Sequence, residues 1–308
     1  MKIAIIEVVA VAPNPIDAHV RNAIEIFHHL KAKGHEVHFM ANNTPVIEEK
    51  FDVIIFSYAS FYFDFKRYEK LVEINDSTEF VWITNEYNLS MNSFMRKKVK
   101  HVIANFRNNS IDKYNNLVVN LNTLLFRNRN EKTPKKYDIC YYGTHRPDRA
   151  KYFKKYLKSW FILSTSPKNH KLFKDMGCIC KFTDKFHWQA KKETLNQFKA
   201  SLYIEDEYTH ECFNHLANRF YEAITCNCAL FFDRSCLSTI QKSNCDVDPF
   251  FIVDSYEEIK EKMMDPTFDE RTEKFLEANA KLIIKEREET LNRIEIFLNN
   301  IVNNKNLG

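Results

Sequence analysis

SLYIEDEYTHECFNHLANRFYEAITCNCALFFD, residues 201–233, decides how this chain reads. The stretch opens and closes with short β-like apolar runs, 201–204 and 229–232. Between them lie an acidic turn (Glu205, Asp206, Glu207) and a helix carrying Asn218, Arg219 and Glu222. Arg219 and Glu222 are three residues apart, so they share one helix face and can meet the same ligand. A buried strand, a polar ledge, a helix with Arg and Glu, and a second strand is a common way for α/β folds to build a nucleotide site. One more surface ion pair on one more helix fits the same letters.

Working outward, the rest of the chain repeats the strand–helix alternation. Residues 1–11 read as a buried strand, although Glu7 interrupts an apolar start that superficially resembles a signal peptide. A loop, 12–17, and a helix over about 18–33 follow, with apolar positions at Ile24, Phe27 and Leu30 and Gly34 just past its end. Strands are expected at 35–41, 51–59, 79–87 and 100–106, with a short helix at 68–74; the 51–59 run is continuous and therefore buried on both faces. A charged segment, 127–136, has no apolar period and contains Pro134, which marks it as a linker. A second set follows: strand 137–143, helix 148–160, strand 161–165, strand 178–182, the 201–233 stretch, strand 250–254 and a helix after it. The tail, about 269–304, is long, helical and charged, and is placed to cross back onto the first domain. Alternation at this spacing predicts α/β architecture with parallel sheets. The expected domains are 1–126, joined by a terminal helix at about 285–308, and 137–284.

Composition narrows the function. The 308 residues are 44% hydrophobic and 14% aromatic, enough for two packed cores, with a formal net charge of +4. Basic runs at 96–101 (RKKVKH), 127–136 and 151–158 make local positive surfaces, suited either to phosphate or to plain solvation. No run reaches the ~18 apolar residues of a membrane helix. The eight cysteines include two Cys-x-Cys pairs, 178/180 and 226/228, without zinc-site spacing. They are expected to be reduced, in a cytoplasmic protein without a bound metal. The only glycines are at 34, 143, 177 and 308, so neither GxGxxG nor a P-loop can exist. Any diphosphate must be held by side chains and helix ends, which directs attention to arginine. YYGTHRPDR, 141–149, ends a strand at Gly143 and presents His145, Arg146 and Arg149 before a helix. Two arginines there can fork onto phosphate oxygens. A solvated turn is the plainer alternative.

YDICYYGTHRPDRAKYFKKYL (137–157) together with residues 200–233 resembles the second domain of the T-even phage DNA β-glucosyltransferase family, and MKIAII and FVWITNEY (80–87) resemble its first. The resemblance covers most of the chain in order. It implies a GT-B fold, with two Rossmann-like domains facing a central cleft and the C-terminal helix returning to the first. It implies transfer of a sugar, expected to be glucose, from a UDP-sugar to the hydroxymethyl group of 5-hydroxymethylcytosine or 5-hydroxymethyluracil in duplex phage DNA. Base flipping and protection from restriction follow from that reading, as do a monomer and a host-cytoplasm location. By the same resemblance Arg146, Arg149 and Arg219 hold the donor diphosphate, although the family has one more residue between the first two. Glu222 takes the ribose hydroxyls; Gly143 and Asp206 lie near the sugar, with Glu205 a neighbouring possibility. The expected DNA contacts are Arg96, Lys97, Lys98 and Lys100. The family's base is the Asp of a Thr-Asp pair, and here the pair is Thr84-Asn85. An amide cannot accept the proton, which leaves Glu86, with Asp17 in reserve, or a different stereochemical course. Mg2+ is expected only without a dedicated protein site. The alternatives are a GT-B transferase acting on a polysaccharide, lipid or protein, and a non-catalytic DNA-binding relative.

Overall fold

The computed structural model describes residues 1–7, 18–57, 65–84, 97–107, 109–143, 145–184, 186, 194–205 and 207–306. The chain divides into two units, Met1–Leu125 with Glu286–Gly308, and Phe126–Lys285. The long terminal helix therefore starts in the second unit and ends in the first.

The first unit is built on a six-stranded parallel sheet. Its strands are β1 (Lys2–Glu7), β2 (Glu36–Met40), β3 (Val53–Ser57), β4 (Glu79–Thr84), β5 (Val99–Ala104) and β6 (Asn115–Val118), in the order β2-β1-β3-β4-β5-β6. β3, sequence VIIFS, is buried at every position, as a strand covered on both faces must be. Helix α1 (Ala18–Ala32) packs through Ala23, Ile26 and Leu30. That line is rotated from the expected Ile24, Phe27 and Leu30: Phe27 is only partly buried, edge-on to Phe39 at 5.9 Å. The rotation brings Glu25 inward, where it pairs with Arg287. Helix α2 (Phe65–Ile74) follows β3.

The second unit holds β7 (Tyr137–Tyr142), β8 (Phe161–Ser164), β9 (Lys181–Thr183), β10 (Phe198–Tyr203), β11 (Ala229–Asp233) and β12 (Ile252–Val253). These are also all parallel, in the order β12-β11-β10-β7-β8-β9. Among the described residues its helices are α3 (Ala150–Tyr156), α4 (Pro167–Asp175), α5 (Glu207–Cys212), α6 (Asn218–Thr225), α7 (Leu237–Lys242), α8 (Tyr256–Met264) and the 39-residue α9 (Phe268–Asn306). The expected helix over 148–160 is shorter, because Pro147–Arg149 forms a 3-10 turn before α3. The 178–182 strand shrinks to β9. Within α9, Phe275 meets Phe220, Phe232 and Phe251 in the second unit. Further along, Leu291, Ile294, Leu298 and Ile301 join the first unit's core. Their alternating three- and four-residue spacing keeps one apolar seam along the helix. All eight cysteines are free. Among the described residues no helix is long and apolar enough to cross a membrane.

Residues 127–136 differ from the expected linker: they are strapped onto the second unit. Arg129 makes a two-pronged ion pair with Glu273 (2.9 and 3.1 Å) and donates from Nε to Asn227 Oδ1 at 2.7 Å. Asn227 Nδ2 returns a bond to Asn130 O at 2.8 Å, and Lys135 Nζ reaches the carbonyls of Asn196 and Asn227 at 2.9 and 2.6 Å. Arg129 and Lys135 are drawn in by these partners, while Arg127, Glu131, Lys132 and Lys136 stay exposed. Asn227 ends α6 with φ 50°, the left-handed conformation that Asn tolerates and most residues do not.

Two stability measurements check this packing. Asn227→Ala loses both the backbone tolerance and the strap, and should cost about 2–3 kcal/mol in urea unfolding followed by circular dichroism. Asn227→Gly, which keeps the backbone tolerance, should cost less. The second concerns His215, 6% exposed, whose burial pushes its pKa from 6.5 down to about 3. Because the folded value is the lower one, the stability from neutral burial is complete above about pH 6.5. It is lost as pH falls toward 3, at roughly 1.4 kcal/mol per unit. Between pH 7 and 5 the wild type should lose about 2 kcal/mol more than His215→Gln. Equal losses would show that His215 takes up its proton in the fold as readily as in the unfolded chain.

Candidate functional site

In open parallel sheets, ligands bind beyond the carboxyl ends of the strands where the order reverses. In the second unit that point lies between β7 and β10, adjacent strands whose connections leave in opposite directions. The chain leaving β7 is the Gly143–Arg149 turn, and the chain leaving β10 is the acidic turn before α5 and α6. Four of the sequence-derived candidates, Gly143, Arg146, Arg149 and Arg219, therefore come from these two neighbouring turns and the helices after them, as does Glu222.

At the centre stands Glu205, 2% exposed. Its Oε2 accepts from Arg149 Nη2 at 2.8 Å and its Oε1 from Arg219 Nη1 at 3.1 Å. Arg149 is 5% exposed, brought inward by the 3-10 turn Pro147–Arg149. Arg219 also donates to Ile204 O at 3.2 Å and lies 5.6 Å from the centre of the Tyr141 ring. Burial works against the Arg219 charge, but Glu205 and then the surrounding tyrosines outweigh it and drive its pKa upward. Two guanidiniums and one carboxylate leave one net positive charge in a nearly closed setting, which is chemistry suited to an anion.

Glu222, 5% exposed, lies one helical turn after Arg219 on α6. Arg219 is directed to Glu205, so Arg219 and Glu222 serve different partners on a shared face. Tyr142 sits between them: its hydroxyl donates to Arg219 O at 3.4 Å, while burial and then the Glu222 carboxylate push its pKa well up. Gly143 donates its N–H to Ser164 O at 3.1 Å, and a Cβ there would come 3.2 Å from the Tyr141 hydroxyl. A side chain would thus press on the ring that lies under Arg219. His145 turns away from this chemistry, with Nε2 2.9 Å from Met176 Sδ and its ring against Phe153 and Phe173. Arg146 is exposed at the mouth of the same turn.

Asp17, Glu86, Arg96 and Asp206 lie outside the described residues. Of the remaining basic candidates, Lys97 and Lys100 are exposed, whereas Lys98 is half-buried and paired with Asp76. The first unit's own reversal point falls between β1 and β3. Among the described residues no group of three His, Cys, Asp or Glu side chains is disposed to hold a metal. Sequence reasoning missed the role of Glu205, treating it as a second choice near a sugar. Its place directly after the apolar run of β10 was the available signal, since a carboxylate at the buried end of a strand needs cationic partners.

No protein-family model matches the chain, and no curated protein is significantly similar to it in sequence. Solved structures are similar over nearly the full length. A DNA-modifying beta-glucosyltransferase, determined with and without uridine diphosphoglucose, aligns with TM-score 0.68 at 16% identity, covering 97% of this chain and 100% of that one. T4 phage BGT in complex with UDP and Mn2+ aligns with TM-score 0.66 at 15% identity, over 97% and 99% of the two chains. An alpha-glucosyltransferase in complex with UDP and a 13-mer DNA containing a HMU base aligns with TM-score 0.63 at 14% identity, over 95% and 99%. Two parallel six-stranded sheets, a C-terminal helix shared between the units and these full-length alignments together show that the chain has the GT-B fold of the phage DNA glucosyltransferases.

Proposed function

We propose that this protein is a glycosyltransferase that moves glucose from UDP-glucose to the hydroxymethyl group of a modified pyrimidine in double-stranded DNA. The observation that carries the reading is the convergence of Arg149 and Arg219 at the strand-order reversal of the second sheet. The fold is shared with enzymes solved with uridine diphosphoglucose, UDP and DNA, which favours this acceptor over a polysaccharide, lipid or protein.

In this reading the second unit is the donor domain. Arg149 and Arg219, with Arg146 at the turn's mouth, bind the diphosphate and stabilise the charge that grows on it as the glycosidic bond breaks. Glu222 accepts hydrogen bonds from the two ribose hydroxyls, a match of one carboxylate to two vicinal donors. Asp206, one residue beyond Glu205 in sequence, is assigned to the donor sugar. The first unit is the acceptor domain. Glu86, or Asp17 in its place, removes the proton from the acceptor hydroxyl as its oxygen attacks the anomeric carbon. Arg96, Lys97 and Lys100 meet DNA phosphates, and the target base is flipped out of the duplex to reach the donor. Lys98 contributes less, since Asp76 already neutralises it. A divalent ion such as Mg2+, if bound with the donor, would offset charge on the departing diphosphate; no protein residues are assigned to hold it. The protein acts as a monomer in the host cytoplasm, and the added sugar shields phage DNA from restriction.

Incubation with UDP-glucose and DNA containing 5-hydroxymethylcytosine or 5-hydroxymethyluracil should raise the nucleotide mass by one hexose and release UDP. The absence of both, with UDP binding intact, would return the acceptor to the polysaccharide, lipid and protein classes. Glu222→Ala should weaken UDP binding by about 10-fold or more, as expected for a lost charge-assisted bond. Glu86→Gln should leave UDP binding unchanged and cut the transfer rate by about 100-fold or more. Full activity in Glu86→Gln would assign the base to Asp17 or to no side chain.

A further inference from the structure

We infer that Glu205 is a positioning residue, the buried anion that holds the two diphosphate-binding arginines together and sets the angle between them. The inference rests on the donor reading above but assigns a residue which that reading leaves without a task.

Each carboxylate oxygen of Glu205 takes a different guanidinium, Arg149 at 2.8 Å and Arg219 at 3.1 Å. The two arginines arrive from separate elements, the turn after β7 and the helix α6, and nothing in their local sequence brings them side by side. Like charges that share a buried setting repel and favour leaving for solvent, where long side chains also regain rotamer freedom. A single carboxylate between them reverses that balance and defines one geometry for both forks. Glu205 is itself fixed by its backbone, two residues past the end of β10, a rigid element at the strand-order reversal.

A purely structural task explains the triad poorly. Buried charge clusters contribute little net folding energy against well-packed apolar residues of the same size. Their use is specificity of placement, and here what is placed is a pair of anion receptors. Both oxygens of Glu205 are already engaged by guanidiniums in this arrangement, a task distinct from the sugar contact proposed for Asp206.

The test compares UDP with uridine, which differ only in the diphosphate, by ligand-observed NMR titration of the wild type, Glu205→Gln and Glu205→Asp. In Glu205→Gln the amide nitrogen cannot accept, so one arginine is released and the charge between the two is lost. UDP affinity should fall by about 10-fold or more while uridine affinity stays within about twofold. Glu205→Asp keeps the charge but draws it back by one methylene, and should recover part of the loss. The inference is overturned if Glu205→Gln binds UDP as tightly as the wild type, or if UDP and uridine weaken by the same factor. Should Glu205→Gln fail to fold, Glu205→Asp decides by the same comparison: a selective loss toward UDP supports the inference, and an equal or absent loss sinks it. A wild type that binds no UDP removes the donor reading itself, a result distinct from a UDP-binding wild type matched by its Glu205 variants.

Discussion

The second unit is organised around one electrostatic constraint, a carboxylate buried at the end of a strand that must be neutralised from both sides. Glu205 cannot stay at 2% exposure without cations. Arg149 and Arg219 supply them, and in doing so the turn after β7 and the helix after β10 are tied to each other across the strand-order reversal. Tyr141 lies beneath Arg219, Gly143 leaves room for that ring, and Tyr142 links Arg219's backbone to Glu222. The site is in this sense the way the fold accommodates one charge.

The constraint also bears on how the proposed nucleotide site manages in a chain with four glycines. Where dinucleotide-binding sheets let backbone N–H groups approach the phosphates through glycine turns, this chain has Gly143 alone in the corresponding turn. In the proposed donor site side chains would take the place of the backbone, and guanidinium forks are suited to that task because their planar donors match phosphate geometry. Side chains are also more mobile than backbone, so they need an internal counter-ion to be preorganised. The scarcity of glycine and the presence of a buried glutamate between arginines are two aspects of one solution.

Much of the architecture was legible in local patterns. The VIIFS run of β3, Gly34 after α1 and the apolar seam of α9 each follow from periodicity and end signals that need no tertiary information. Other features were hidden for identifiable reasons. β6 has the sequence NNLV, polar at two of four positions, and forms because β5 offers it an edge. The inward place of Glu25 on α1 is answered by Arg287, 262 residues away. The strap at 127–136 looked like a linker because its charges are answered by Glu273 and Asn227, distant in sequence. In the candidate site, Arg219 and Glu222 could be read from helical spacing. That Arg219 serves Glu205 depends on which strands are neighbours, which no local window contains.

The most direct measurement is a crystal structure of the protein with UDP. The account predicts diphosphate oxygens within hydrogen-bond distance of Arg149 and Arg219, ribose hydroxyls on Glu222, and Glu205 still bridging the two arginines. UDP bound away from the β7–β10 reversal, or a diphosphate that touches neither arginine, would contradict it.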